Sequence, residues 1–301
     1  MRVLITGATG LIGQEIVRLC HEKEIDVHYL TTRESKIKKA QNYSGFLWHP
    51  GKQEIDTECF NGVDAIIHLA GATVSKRWTP TYKQEILDSR LDSTKLIINS
   101  LKGESHSIKQ VISASAIGIY PDSLINYYDQ SHNEYSDAFL GRVVRAWENV
   151  VNGFSELDIV VSKIRIGLVL SNKGGALQEM KKPIGYGVGA AFGSGKQWQS
   201  WIHIQDLANM FLYVLENRLP KVYNGVAPNP VTNNELTKTI AKVLRKPLFL
   251  PNIPRFFMKL ILGEMHAILF DSQRVSSKKI EDKGFYFEYN YLEPALQDLL
   301  N

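Results

Sequence analysis

The segment Val3-Leu-Ile-Thr-Gly-Ala-Thr-Gly-Leu-Ile-Gly13 constrains the fold more than any other part of the chain. Val3 to Ile5 have the apolar pattern of a buried strand. Glycines at 7, 10 and 13 then break it, and an amphipathic pattern begins at Leu11. A strand, a tight turn and a helix N-terminus in that order make a phosphate cradle, because free N–H groups and the helix dipole both favour an anion. Gly7 permits the turn, Gly10 lets a pyrophosphate approach the backbone, and Gly13 lets helix pack on strand. Thr6, Gly7, Thr9, Gly10, Leu11, Ile12 and Gly13 are therefore candidate dinucleotide-binding residues.

The same alternation continues. Val27 to Thr31 and Asp64 to Ala70 read as strands, and Pro80 to Leu101 as a helix with Ile86, Leu87, Leu91, Leu96 and Ile97 on one side. Gln110 to Ser115 reads as a strand, about Asp137 to Phe154 as a helix, and Ile159 to Ile166 as a strand. Such a series predicts an α/β fold with a doubly wound parallel sheet. After Leu170 the texture changes: Gly174, Gly175, Pro183, Gly185, Gly187, Gly189, Gly193 and Gly195 predict a loop-rich segment outside the regular core. A helix is expected after His203, and another capped by Thr232 with Glu235 completing a capping box. The division read from this is 1–170 as the dinucleotide-binding domain, with 197–226 returning to it, and 171–301 as a smaller mixed lobe over the sheet's carboxyl edge.

A chain of 301 residues can bury a large core. Its net charge of +4 is spread without a basic stripe, which argues against nucleic acid as a partner. No apolar run is long enough to span a bilayer, and the early Thr and Gly interrupt any signal peptide. Cys20 and Cys59 lack metal-ligand spacing and read as reduced thiols, so a cytoplasmic protein without a metal site is expected. A small-molecule substrate is the expected partner, and a homodimer is left open.

The TGxxGxxG spacing resembles the extended branch of the short-chain dehydrogenase/reductase superfamily. That resemblance implies a Rossmann fold and a nicotinamide cofactor. His68-Leu-Ala-Gly71 is similar to the superfamily's strand-end motif along the adenosine, which implies roles for Leu69, Ala70 and Gly71. Ser113 and Ala114 on the later strand are placed beside the cofactor in the same way. The second strand ends Leu30-Thr31-Thr32-Arg33, without the carboxylate that would bind an NAD ribose. Arg33 suits the 2′-phosphate of NADP, so NADP is favoured over NAD.

Members of that branch carry a Ser-Tyr-Lys trio, with an Asn on the central helix. Here the corresponding positions are Ala116, Leu140, Val144 and Arg90, and no YxxxK exists in any register near residues 139–145. An aliphatic side chain cannot exchange a proton. These departures match an atypical, epimerase-like subgroup of the NAD(P)-dependent epimerase/dehydratase family found in bacteria and organelles. Its hallmarks stand here as Lys76-Arg-Trp-Thr79, Ser113-Ala-Ser-Ala-Ile-Gly-Ile-Tyr120, Trp201-Ile-His-Ile-Gln-Asp206 and Gly263-Glu264. Replacement catalytic candidates are Arg90, Tyr120 and His203; Lys76, Arg77, Trp78, Ser115 and Tyr120 are candidate substrate contacts. Asp206 reads as a cap or dipole partner, and Glu148 as an ion-pair partner for an arginine. Two functions are compatible with this pattern: an NADP(H)-dependent oxidoreductase or epimerase on a small carbonyl, hydroxyl or nucleotide-sugar-like substrate, or a catalytically silent NADP-binding sensor or scaffold, as the relatives linked to cell division suggest.

Overall fold

The run Arg2–Thr6 forms strand β1 in a computed structural model of the chain, which describes residues 1–103 and 105–301. Its residues from Val3 onward are buried because it lies at the centre of the sheet. Parallel partners flank it: β2 (Asp26–Thr31) on one side and β4 (Ala65–His68) on the other. Strand β3 (Tyr43–His49) extends the sheet beyond β2. On the other side follow β5 (Gln110–Ala116), β6 (Val160–Ile166) and β7 (Lys221–Gly225). The order of the parallel strands is therefore β7-β6-β5-β4-β1-β2-β3, and two short antiparallel strands, Lys39–Ala40 and Glu54–Ile55, pair with β3 at the edge. Reversal of the winding direction between β1 and β4 opens a crevice at their carboxyl ends, where such sheets bind ligands.

The helices form where the apolar period requires. Helix α1 (Leu11–Glu22) buries Ile16, Leu19 and Cys20 against the sheet. Helix α2 (Pro80–Gly103) starts on a proline, which costs nothing at a position with no intrahelical N–H bond to lose, and buries Ile86, Leu96, Ile97 and Leu101. Helix α3 (Phe139–Val151) is shorter than the sequence pattern, and a 3-10 turn carries the chain on to Leu157.

The glycine-rich stretch differs from expectation. Ala176–Gly185 is a helix, α4, with Pro183 inside it and Leu177 and Ile184 buried. Pro183 lies in its last turns, so one lost backbone bond is offset by the burial of those two side chains. Helix α5 (Ile204–Glu216) joins α1 on the main core, burying Leu207, Met210, Phe211 and Leu215. A second core is built from α4, α6 (Asn233–Val243) and the final helix Leu292–Leu300, around Trp201, Leu236, Ile240 and Leu296. The Thr232–Glu235 capping box is present at the start of α6. Cys20 and Cys59 are free and buried, and burial pushes the Cys20 thiol up to about 12. Among the described residues, no helix is long and apolar enough to cross a membrane, and no cluster of His, Cys, Asp and Glu has metal-site geometry.

Candidate functional site

The crevice is a cavity of about 640 Å³ lined by the glycine turn, the ends of β4 and β5, helices α2 and α3, and residues 267–273 of the second lobe. At the turn, Gly7 has φ +72°, a conformation an L side chain adopts only at a cost. A Cβ on Gly13 would lie 2.2 Å from the Gly7 carbonyl oxygen, so the close packing of helix on strand requires hydrogen there. Gly10 is the N-cap of α1, and neither a side-chain cap nor an acidic residue occupies the first turn. The open N–H groups at Leu11, Ile12 and Gly13 border the cavity and fit a pyrophosphate.

Thr6, by contrast, is fully buried and holds the cradle together from behind. Its Oγ accepts the N–H groups of Leu69 and Ala70, both at 3.0 Å, and pairs with His68 Nδ1 at 2.9 Å. His68 Nε2 meets Thr94 Oγ1 at 3.0 Å, and Thr94 donates to the Arg90 carbonyl at 2.7 Å. Since Thr94 spends its proton on Arg90, His68 must donate through Nε2 and accept from Thr6 through Nδ1. Burial lowers the imidazole to about 4, so it remains neutral and the chain of bonds keeps one direction. β1, β4 and α2 are locked together at the point where Arg90 enters the cavity.

Arg90 Nη1 donates to the carbonyls of Ala72 and Ile86 at 3.1 and 2.8 Å, and its guanidinium lies 5.2 Å from the centre of the Trp147 ring. Nε and Nη2 have no protein acceptor among the described residues, and no carboxylate pairs with the group. Burial pulls Arg90 down to about 10, still charged at neutral pH. A cation on the cavity wall with two unused donors fits an anionic or carbonyl oxygen.

Of the cofactor candidates, Gly7, Gly10, Leu11, Ile12, Gly13, Leu69, Gly71, Arg90 and Ala114 line the cavity. Thr6, Thr9, Ala70 and Ser113 do not; Ser113 turns its hydroxyl to the Ala114 carbonyl at 2.8 Å. Arg33 is exposed beyond the end of β2 and off the cavity wall. The Tyr29 hydroxyl fixes the basic loop after it, donating to the Lys36 carbonyl at 2.7 Å and accepting from Lys38 N–H at 2.8 Å.

Among the substrate candidates, Trp78 and Ser115 reach the wall, whereas Lys76 and Arg77 point to solvent outside it. Lys76 lies over the Tyr82 ring, 5.4 Å from its centroid. Trp78 is fixed by its indole N–H on the Val74 carbonyl at 3.0 Å and by the edge of Phe139.

Two catalytic candidates lie off the cavity wall and are bonded elsewhere. Tyr120 has no exposed surface and does not border the cavity. Its hydroxyl donates to Asn224 Oδ1 at 2.9 Å and accepts from Arg165 Nη1 at 3.0 Å. Burial raises the phenol despite Arg165 and Asn224, and its hydroxyl proton is committed to Asn224 within the core. His203 caps α5: Nδ1 accepts Gln205 N–H at 3.1 Å and Nε2 meets Asp298 at 3.2 Å. Burial lowers its pKa even beside Asp298. Asp206, in the first turn of that helix, accepts the N–H groups of Glu288 and Tyr289 at 2.9 and 3.0 Å and so ties down the C-terminal segment.

The floor below Ser115 holds a polar network whose full extent the sequence did not reveal. Glu148 accepts Ser115 Oγ at 2.6 Å and two bonds from Arg165, at 2.8 and 3.0 Å. Burial pushes Glu148 up, but Arg165, Ser115 and Lys163 outweigh it and hold the carboxyl below the ordinary glutamate range. Leu140, Val144 and Ala116 line the cavity, so the positions of the absent trio do face ligand, carrying apolar groups.

Comparison with known proteins agrees with this geometry. Residues 3–138 match the model of the NAD dependent epimerase/dehydratase family, and residues 253–299 match a domain of unknown function. An epimerase family protein of Staphylococcus aureus is 38% identical over 300 residues, covering 99% of this chain and 98% of its own. The crystal structure of human epimerase family protein SDR39U1 with NADPH superposes with a TM-score of 0.85 at 27% identity, covering 99% of both chains. A nucleoside-diphosphate sugar epimerase from Corynebacterium glutamicum gives a TM-score of 0.80 at 26% identity, over all of this chain and 58% of that one.

Proposed function

The chain belongs to the epimerase family, and from that premise we propose that it is an NADP(H)-dependent oxidoreductase or epimerase acting on a small carbonyl or hydroxyl compound. The observation that carries the reading is the uncapped α1 N-terminus opening, through Gly10, into the same cavity as Arg90 and Ser115. Gly10 to Gly13 would hold the pyrophosphate, Leu69 and Gly71 the adenosine side, and Arg33 the 2′-phosphate. The human relative solved with NADPH supports that choice of dinucleotide. When bound, the nicotinamide supplies or removes hydride. The chain's own contribution is to orient the substrate: Arg90 offers donors to a carbonyl oxygen, Ser115 is held in place by Glu148, and Trp78 closes one apolar wall.

The test has two arms. Fluorescence titration should give tighter binding of NADPH than NADH, and Arg33→Ala should weaken NADPH by about tenfold, the scale of a charge-assisted bond, leaving NADH unchanged. Equal affinities for the two dinucleotides would remove the Arg33 assignment. A panel of aldehydes, ketones and nucleotide sugars should then contain a class that consumes NADPH above background. Tight binding with background rates throughout would favour the silent sensor instead, the reading to which the aliphatic Leu140 and Val144 belong.

A further inference from the structure

Residues 253–299 match a domain with no assigned function, yet this segment supplies the one carboxylate on the cavity wall among the described residues. That carboxylate is Asp271, which follows the short helix Ala267–Phe270. Its neighbours fasten it over the carboxyl end of β5. The Ser272 hydroxyl donates to the Ser123 carbonyl at 2.7 Å, and the Gln273 amide donates to the Tyr120 carbonyl at 2.8 Å. The Asp271 carboxyl itself has no hydrogen-bond or ion-pair partner among the described residues.

No Tyr, Lys, His or Cys lines the cavity among those residues. Arg90 does not release a proton near neutrality, and the Ser115 hydroxyl proton is committed to Glu148. Among the described residues, Asp271 is thus the one wall group that carries an acidic proton to exchange with ligand near physiological pH. Burial and the nearby Asp122 lift its carboxyl to about 6, against the opposing pull of Arg255 and His266. A group poised near neutrality, facing a cavity and unpaired, has the properties of an acid–base catalyst.

We propose that Asp271 exchanges the proton with the substrate oxygen, the task of the phenol in relatives that keep the Ser-Tyr-Lys trio. This rests on the oxidoreductase reading above. In reduction, bound NADPH would supply the hydride that the carbonyl carbon accepts, leaving NADP+, as the C=O π pair moves to oxygen. The Asp271 O–H breaks as the new substrate O–H forms, and the resulting carboxylate regains a proton from water. Oxidation of an alcohol runs the same transfers in reverse. The second lobe, rather than α3, then carries the proton.

Two measurements test this in the full-length protein with NADPH. In a carbon-13 titration of aspartate carboxyls, the resonance missing from Asp271→Asn should show a midpoint near 6. With the best carbonyl of the panel, Asp271→Asn should lower kcat by about 100-fold with the NADPH Kd unchanged. Reduction needs the protonated acid, so the rate of the unaltered protein should fall as pH rises through about 6, and the Asn variant should lack that limb. Asp271→Glu, which keeps an acid, should recover part of the rate. A midpoint in the ordinary aspartate range, an unchanged kcat in Asp271→Asn, or equal loss in the Asn and Glu variants would overturn the inference and leave the oxidoreductase reading standing. Failure of the unaltered protein to reduce any carbonyl would overturn both.

Discussion

Glu148→Ala should destabilise the fold by about 3–5 kcal/mol, as breaking one side of a buried ion pair does. Glu148 and Arg165 are 7% and 4% exposed, and Arg165 pairs with no other carboxylate among the described residues. Removing Glu148 strands a buried guanidinium, releases Ser115 and leaves Lys163 with Asn152 alone, at 2.7 Å. The sign of the pH dependence follows from the depressed carboxyl. Its stabilisation is complete above the ordinary glutamate range and is lost as pH falls through the lower folded value. Urea denaturation should therefore show the full difference at pH 7 and a shrinking one in acid. The double replacement Glu148→Leu with Arg165→Met removes both charges and should cost less than the single change. A loss below about 1 kcal/mol for Glu148→Ala would mean that the network does not carry the floor of the cavity.

The second large effect concerns ligand rather than stability. Gly10→Leu should abolish measurable NADPH binding, a loss of about 100-fold or more, while lowering the unfolding free energy by only about 1 kcal/mol, the scale of losing a favoured N-cap residue. At φ −82° and ψ 174° Gly10 has a backbone any residue adopts. A Cβ there meets only the Gly7 carbonyl oxygen, at 3.2 Å, so the folded chain accepts it with a small adjustment. The side chain would fill the space the pyrophosphate needs and shield the N–H groups beyond it. Gly13 is the contrast, since its Cβ would strike backbone at 2.2 Å and damage the fold itself. Dinucleotide titration beside urea denaturation separates the two kinds of glycine. Retention of NADPH affinity in Gly10→Leu would place the dinucleotide elsewhere.

The sequence made the first half of the molecule legible because its signals are local. A positive φ at Gly7, a helix start after Gly10 and the Thr232–Glu235 cap are properties of a few adjacent residues. Alternating apolar runs were enough to predict a doubly wound parallel sheet, and the loss of the trio at Ala116, Leu140 and Val144 could be read by setting these residues beside the family's motifs. What stayed hidden depends on side chains meeting across the fold. Tyr120 follows β5 after a single 3-10 turn, close in sequence to the cavity, but Arg165 from the neighbouring strand and Asn224 from the edge strand turn its hydroxyl inward. His203 is spent as a helix cap because its Nδ1 comes within reach of Gln205 N–H. Helix α4 was obscured by Pro183 and its flanking glycines, which are turn signals when seen without the apolar surface beneath them. Asp271 gave no signal at all: a lone aspartate in a polar stretch looks like any surface residue until the second lobe folds over the crevice.

The most direct test of a dinucleotide site without the usual relay is a crystal structure of the protein with NADPH. Its pyrophosphate should lie on the N–H groups at Leu11 and Ile12, its 2′-phosphate beside Arg33, and its nicotinamide between Ser115 and the second lobe carrying Asp271. A dinucleotide bound away from the Gly7–Gly13 turn, or a nicotinamide walled off from Asp271, would contradict it.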